Sequence, residues 1–163
     1  MLLSNFIHRK QRKRSDCLVA CAKMALEHIG IRIESSRLSH ILKAGDAFTL
    51  FSNLHLLSDH LGLSLTLKNF GDLDIFETYL EMGLPVIVAV KTLNWEHWEN
   101  EVTEHAVVVI GIDQEHDLIY IHDPFFEEAP ISMSSISFEA GWIEKDQIYA
   151  VLGLIDPELK DKP

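Results

Sequence analysis

The sequence predicts an α+β fold in which an N-terminal helical part packs against a C-terminal antiparallel sheet. Apolar residues recur every three or four positions through the first half, which is helical spacing. After residue 84 the pattern changes to short runs rich in β-branched residues, PVIVAVK, HAVVVIGID, LIYIHD and YAVLGLI. The polar tetrad Gln114-Glu115-His116-Asp117 has the length of a hairpin loop and separates two of these runs. With 163 residues, 47% of them hydrophobic, the chain has apolar material for one core, and a single domain over 1–163 is expected, with flexible ends at 1–10 and 156–163.

The first helix is CLVACAKMALEHIG, opened by Ser15-Asp16, whose carboxylate is expected to accept from free backbone amides, and stopped by Gly30. Shorter helices are predicted at 35–43, before Gly45, and at 52–61, before Gly62. LSLTLKNF at 63–70 alternates as a strand does, and LDIFETYLEMG at 73–83 returns to helical spacing. Strands follow at 85–91, 105–113, 118–123 and 149–155, with a further helix at roughly 138–146. Between the first two strands, TLNWEHWENEVTE is a polar and aromatic loop. Its Trp95 and Trp98 either line a cleft or pack on the sheet edge.

Charge and composition narrow the function. The net charge is −11, but residues 1–43 carry nine Lys/Arg against three acidic residues, whereas 44–163 carry five against twenty-two. Nucleic acid is therefore not the expected partner, since a phosphate-binding face needs an extended basic surface and only HRKQRKR at the start is basic. That run reads as a solvated arm. No stretch reaches the roughly 20 apolar residues of a membrane-spanning helix. MLLSNFI precedes the basic cluster, the reverse of a signal peptide, so a cytoplasmic protein is expected. Cys17 and Cys21 lie one helical turn apart, where a disulfide would distort the backbone, and reduced thiols fit that compartment.

A thiol is a nucleophile only as thiolate, a form favoured by a helix N-terminus and by a neighbouring imidazolium. Cys17 lies in the first turn of its helix. Of nine histidines, His28, His40, His55 and His60 lie within helical segments, and His97 and His116 lie in loops without a partner pattern. His105 instead opens an apolar strand, and Asp123 closes the next one ahead of Pro124. A hairpin across 114–117 would set these two side by side, where a carboxylate fixes the imidazole tautomer and stabilises the imidazolium. Gln11, six residues before Cys17, is a candidate donor to a developing oxyanion together with the Cys17 backbone amide. Structural zinc is disfavoured because no second short-spaced ligand pair accompanies the cysteines, and neither metal nor cofactor is required.

QRKRSDCLVACAKMALEHIGI, HAVVVIGID and IYIHDP together resemble the bacteriocin-processing cysteine peptidases that remove double-glycine leaders, members of the papain-like superfamily. The resemblance spans residues 11–155. It implies a papain-like fold with Cys17 as nucleophile, His105 as general base and acid, Asp123 as the orienting carboxylate and Gln11 in the oxyanion hole. Leu18 stands where that family usually has Gly, and His122 where it often has Asn. The implied reaction is hydrolysis of a peptide or isopeptide bond in a peptide or protein substrate, leader processing being one form of it. Two alternatives remain: another acyl-transfer enzyme (amidase, deamidase or transglutaminase-like), and a non-catalytic peptide-binding module.

Overall fold

The computed structural model describes residues 1–156. Helix α1 runs Cys17–His28, α2 Ser35–Ile41 and α3 His55–Leu61, the last entered through a 3-10 turn at Phe51–Leu54. Strand β1 (Ser64–Lys68) and helix α4 (Leu73–Glu81) follow, then β2 (Val86–Lys91), β3 (Glu104–Asp113), β4 (Leu118–His122), β5 (Ile131–Ser134), α5 (Ser135–Ile143) and β6 (Tyr149–Gly153). The strands form one six-stranded sheet in the order β1-β6-β2-β3-β4-β5, every pair antiparallel.

The sheet is covered on both faces, which is why its central strands are apolar throughout and do not alternate. Ala106, Val108 and Ile110 of β3 join Ile87, Ala150 and Leu152 against α1, α2 and α3. Their neighbours Val107 and Val109, with Val86, Val88 and Val90, pack with Phe76 of α4 and with Phe138 and Trp142 of α5. The expected division into a helical half and a sheet half is thus only partial. β1 comes from the first half and closes one edge of the sheet, while α4 and α5 cover the face opposite α1.

Most elements begin and end where their sequence signals place them. Gly30 ends α1 with φ +91°, and Ile31 N–H returns to Leu26 O at 2.9 Å, the αL stop that only glycine adopts without strain. Asp72 Oδ1 accepts from Ile75 N–H at 2.9 Å and caps α4. Helix α5 starts earlier than the periodicity indicates, because Ser134 Oγ accepts from Ser137 N–H at 3.1 Å and fixes the first turn there. Strand β5 was not anticipated: ISMS is a short, half-exposed edge strand, and its serines carry little β signal.

Two expectations at the N-terminus are corrected. Asp16 precedes α1 but caps nothing: its φ and ψ of −95° and 15° are not the extended geometry of a capping residue, and no side-chain hydrogen bond reaches the helix amides. Residues 1–10, expected as a flexible arm, lie against the protein. Leu3 N–H donates to Ile110 O and Ile112 N–H to Met1 O, each at 2.8 Å, where β3 extends past the end of β2. The basic run is likewise paired and not merely solvated. Arg9 meets Glu27 at 3.0 Å, Lys10 meets Glu127 at 3.4 Å, Lys13 meets Asp46 at 3.7 Å, and Arg14 meets Glu101. The tail expected at 156–163 lies, past residue 156, outside the described residues. No helix among the described residues is long and apolar enough to cross a membrane.

Candidate active site

Cys17 is the first residue of α1, half-buried, with its N–H in the first helical turn, where no side chain caps the free amides. The partial positive charge of the helix start favours an anion at that point. One turn further along, Cys21 is fully buried, and burial first, then the charges of Cys17 and Asp123, push its thiol well above the usual thiol range. Two cysteines four residues apart on one helix therefore differ in kind: Cys17 opens onto a cleft, and Cys21 is core.

β3 and β4 form the expected hairpin, in register from Asp113↔Leu118 to Val108↔His122, with a bulge between Val109 and Gly111. Asp123 is the next residue after the last pair, and His105 lies three residues beyond that pair on β3. Their side chains meet diagonally, His105 Nε2 to Asp123 Oδ1 at 2.6 Å. Both are buried, the carboxylate completely. With Nε2 occupied by Asp123, Nδ1 is the ring nitrogen left free, and Cys17 lines the same cleft as the imidazole. Burial alone would drive His105 toward the neutral form. The hydrogen bonds to Asp123 and Cys17, with their negative charges, outweigh it and raise His105 to about 9. Asp123 shows the same contest: burial raises its carboxyl, and the hydrogen bonds from His105 and His97 overcome this and hold it well below the usual carboxylate range.

Asp123 has more partners than the sequence reading assigned to it. Oδ2 accepts from His97 Nε2 and from Trp98 Nε1, each at 2.9 Å, and Oδ1 accepts also from Phe125 N–H at 3.0 Å. By sequence His97 is a loop histidine without a partner pattern, and the loop tryptophans are compatible with lining a cleft or packing on the sheet. Trp95 and Trp98 are buried, and neither lines the cleft at Cys17. The local sequence could not reveal the His97 contact, because it spans 26 residues and ends on a carboxylate whose own role depended on a hairpin.

Gln11 is placed differently from its proposed role. Its Nε2 donates to Lys13 O at 2.9 Å and to Arg14 O at 3.1 Å, so both amide hydrogens return to its own turn, while Oε1 is buried without a partner. It does not line the cleft that Cys17, Leu18 and His105 share. That cleft, about 140 Å³, is walled by Phe48, Leu50 and Phe51 on one side and by Ala89 and Ala106 on the other, with the Glu104–Lys145 ion pair (2.9 Å) at its rim. Phe48 and Leu50, both largely exposed, lie in a segment to which no role is assigned from sequence.

A buried imidazole bonded to a carboxylate and sharing an apolar cleft with a thiol at a helix start is an arrangement suited to acyl transfer. The family model for the peptidase C39 family matches residues 5–146. The chain belongs to the peptidase C39 family. It is thus a cysteine-type peptidase by family, and its mixed helix and sheet architecture is the papain-like fold of C39 structures. A C39-like peptidase from Bacillus anthracis superposes with a TM-score of 0.76 at 19% identity, covering 95% of this chain and 98% of its own. The peptidase domain of Streptococcus ComA, a bifunctional ABC transporter involved in quorum sensing, gives a TM-score of 0.74 at 20% identity, covering 93% and 100%. A double-glycine-motif protease from an AMS/PCAT transporter, solved with its leader peptide, gives 0.66 at 14% identity, covering 91% of each chain. No curated protein matches the chain by sequence.

Proposed function

We propose that this C39 peptidase hydrolyses a peptide bond through Cys17, His105 and Asp123, with Gln11 and the Cys17 backbone amide receiving the oxyanion. The observation that carries the reading is the His105 imidazole bonded at Nε2 to the buried Asp123 while Cys17, at the start of α1, lines the same cleft as that ring. In this mechanism the Cys17 thiolate attacks the carbonyl carbon and the carbonyl oxygen takes the negative charge at the helix start. His105 then gives its proton to the leaving amine, and a thioester forms on Cys17. Water enters, His105 removes its proton, and hydroxide addition expels the Cys17 thiolate with release of the acid. Asp123 stays ionised throughout and holds the imidazolium.

For the oxyanion role, Gln11 must exchange its bonds to Lys13 and Arg14 for one to the substrate. The double-glycine motif protease solved in complex with its leader peptide supports a peptide substrate, and leader cleavage is the form of the reaction proposed. A nucleophile of this kind works where thiols stay reduced, as in the cytoplasm.

The test is cleavage of a peptide library, alongside a panel of side-chain amides, by the wild type and by Cys17→Ala. Peptide cleavage confined to the wild type is the expected result. Cleavage persisting in Cys17→Ala, or turnover of side-chain amides alone, would reject the proposal.

A further inference from the structure

The loop 92–103 that carries His97 and Trp98 is fastened at three points. Thr92 N–H donates to Thr103 O at 3.0 Å, and Thr92 Oγ1 accepts from Thr103 N–H at 2.9 Å while donating to Glu101 O at 2.7 Å. Trp95 Nε1 then donates to Ser137 O of α5 at 2.9 Å. From this braced turn, His97 and Trp98 present their ring N–H groups to the same oxygen, Asp123 Oδ2. The torsion that orients a carboxylate is soft and roughly two-fold, so His105 and Phe125 on Oδ1 alone would hold it loosely. An ionised carboxylate only accepts, so His97 Nε2 must carry a hydrogen, and an indole N–H is a donor at any pH. The Trp98 ring also stands edge-on to His105, centroids 4.9 Å apart, and walls the imidazole. Loop packing alone would not direct two polar ring edges at one oxygen.

We propose that His97 and Trp98 form a clamp on Asp123 Oδ2 that aims Oδ1 at His105, making both of them positioning residues for the peptidase reaction; the inference rests on the assignment of Cys17, His105 and Asp123 made above. Losing either arm lets the carboxylate turn, loosens its bond to His105, and so weakens the imidazolium that sustains the Cys17 thiolate. The titratable groups around the carboxylate are His105, His97 and the Cys21 thiol of α1.

The test needs no known substrate: the rate at which iodoacetamide alkylates Cys17 is followed from pH 4 to 10 in the wild type, Trp98→Phe, His97→Ala and His97→Gln, with a thermal melt of each. Trp98→Phe keeps a ring in place without the N–H, and His97→Gln keeps a donor that does not titrate. The clamp predicts that the acid limb of Trp98→Phe and His97→Ala moves up by about one pH unit, so that on that limb they alkylate about tenfold more slowly than the wild type. His97→Gln is expected within about threefold of the wild type, since its amide replaces the missing donor. Limbs that stay at the wild-type pH in Trp98→Phe and His97→Ala, even with a lowered melting temperature, would reduce both residues to packing and overturn the clamp. Failure of the underlying site is a separate result: wild-type Cys17 reacting at pH 6 no faster than a free thiol.

Discussion

Gln11 holds the least settled position in the site. Both of its amide hydrogens serve the carbonyls of Lys13 and Arg14, and its Oε1 is buried and unpartnered, a costly arrangement for a side chain whose only task is to brace a turn. As an oxyanion donor it would leave those carbonyls when a charged oxygen offers a stronger partner. Gln11→Ala is then expected to lower kcat by about 10²-fold with KM little changed. Gln11→Glu is expected to be worse, because a carboxylate places negative charge where negative charge develops. Steady-state kinetics on a cleaved peptide checks this, and a kcat loss under about threefold in Gln11→Ala would return the residue to turn bracing. His105 and Asp123 are better defined, since each is buried and each leans on the other. The charged form of either would be expelled from this interior without its partner.

The elements hold these residues through close approaches, the tightest involving a glycine. A Cβ on Gly141 of α5 would strike Lys91 O of β2 and come within 2.8 Å of Trp95 Nε1, so the helix sits on the strand end only because position 141 has no side chain. Gly141→Ala forces α5 away from β2 and from the loop it fastens, and a loss of about 1–3 kcal/mol is expected in urea unfolding with an unchanged m-value. Stability equal to the wild type would show that the contact gives way freely. At this scale the sequence was informative wherever a signal is local. The Gly30 stop, the placement of Cys17 at a helix start and the β3–β4 hairpin each depend on a few neighbouring residues, and each stands where its signal placed it. What escaped was set by distant contacts. Asp16 has capping chemistry but a backbone that turns its carboxylate away. His97 and Trp98 acquire their importance from Asp123, about 25 residues on, and the basic run is paired with acids that no spacing rule connects to it.

Across the whole molecule, buried titratable groups give the stability a predictable dependence on pH. His105 is raised from 6.5 to about 9, so the folded state binds its proton more tightly than the unfolded chain. Its contribution is complete below pH 6.5 and is lost as the pH rises through 9. His122 has the opposite sign. Burial, helped by the charge of His8, whose Nδ1 lies 3.1 Å from its own Nδ1, lowers it to about 4. The unfolded chain takes up that proton first, so stability falls as the pH drops from 6.5 toward 4. Asp123, held below its ordinary 3.8, adds a further loss under that pH. The exposed pairs, such as His116 with Asp113, are screened and alter this little. The expected stability curve therefore peaks near pH 6.5 and falls on both sides, the first alkaline limb belonging to His105 and the first acid limb to His122. The buried Cys21 thiol adds a further loss above the usual thiol range. Chemical denaturation at intervals from pH 3.5 to 9.5 checks it. Asp123→Asn removes the carboxylate that raises His105, so the first alkaline limb should flatten while the fall between pH 6.5 and 4 remains; an unchanged first alkaline limb in that variant would mean that the His105–Asp123 bond does not set it.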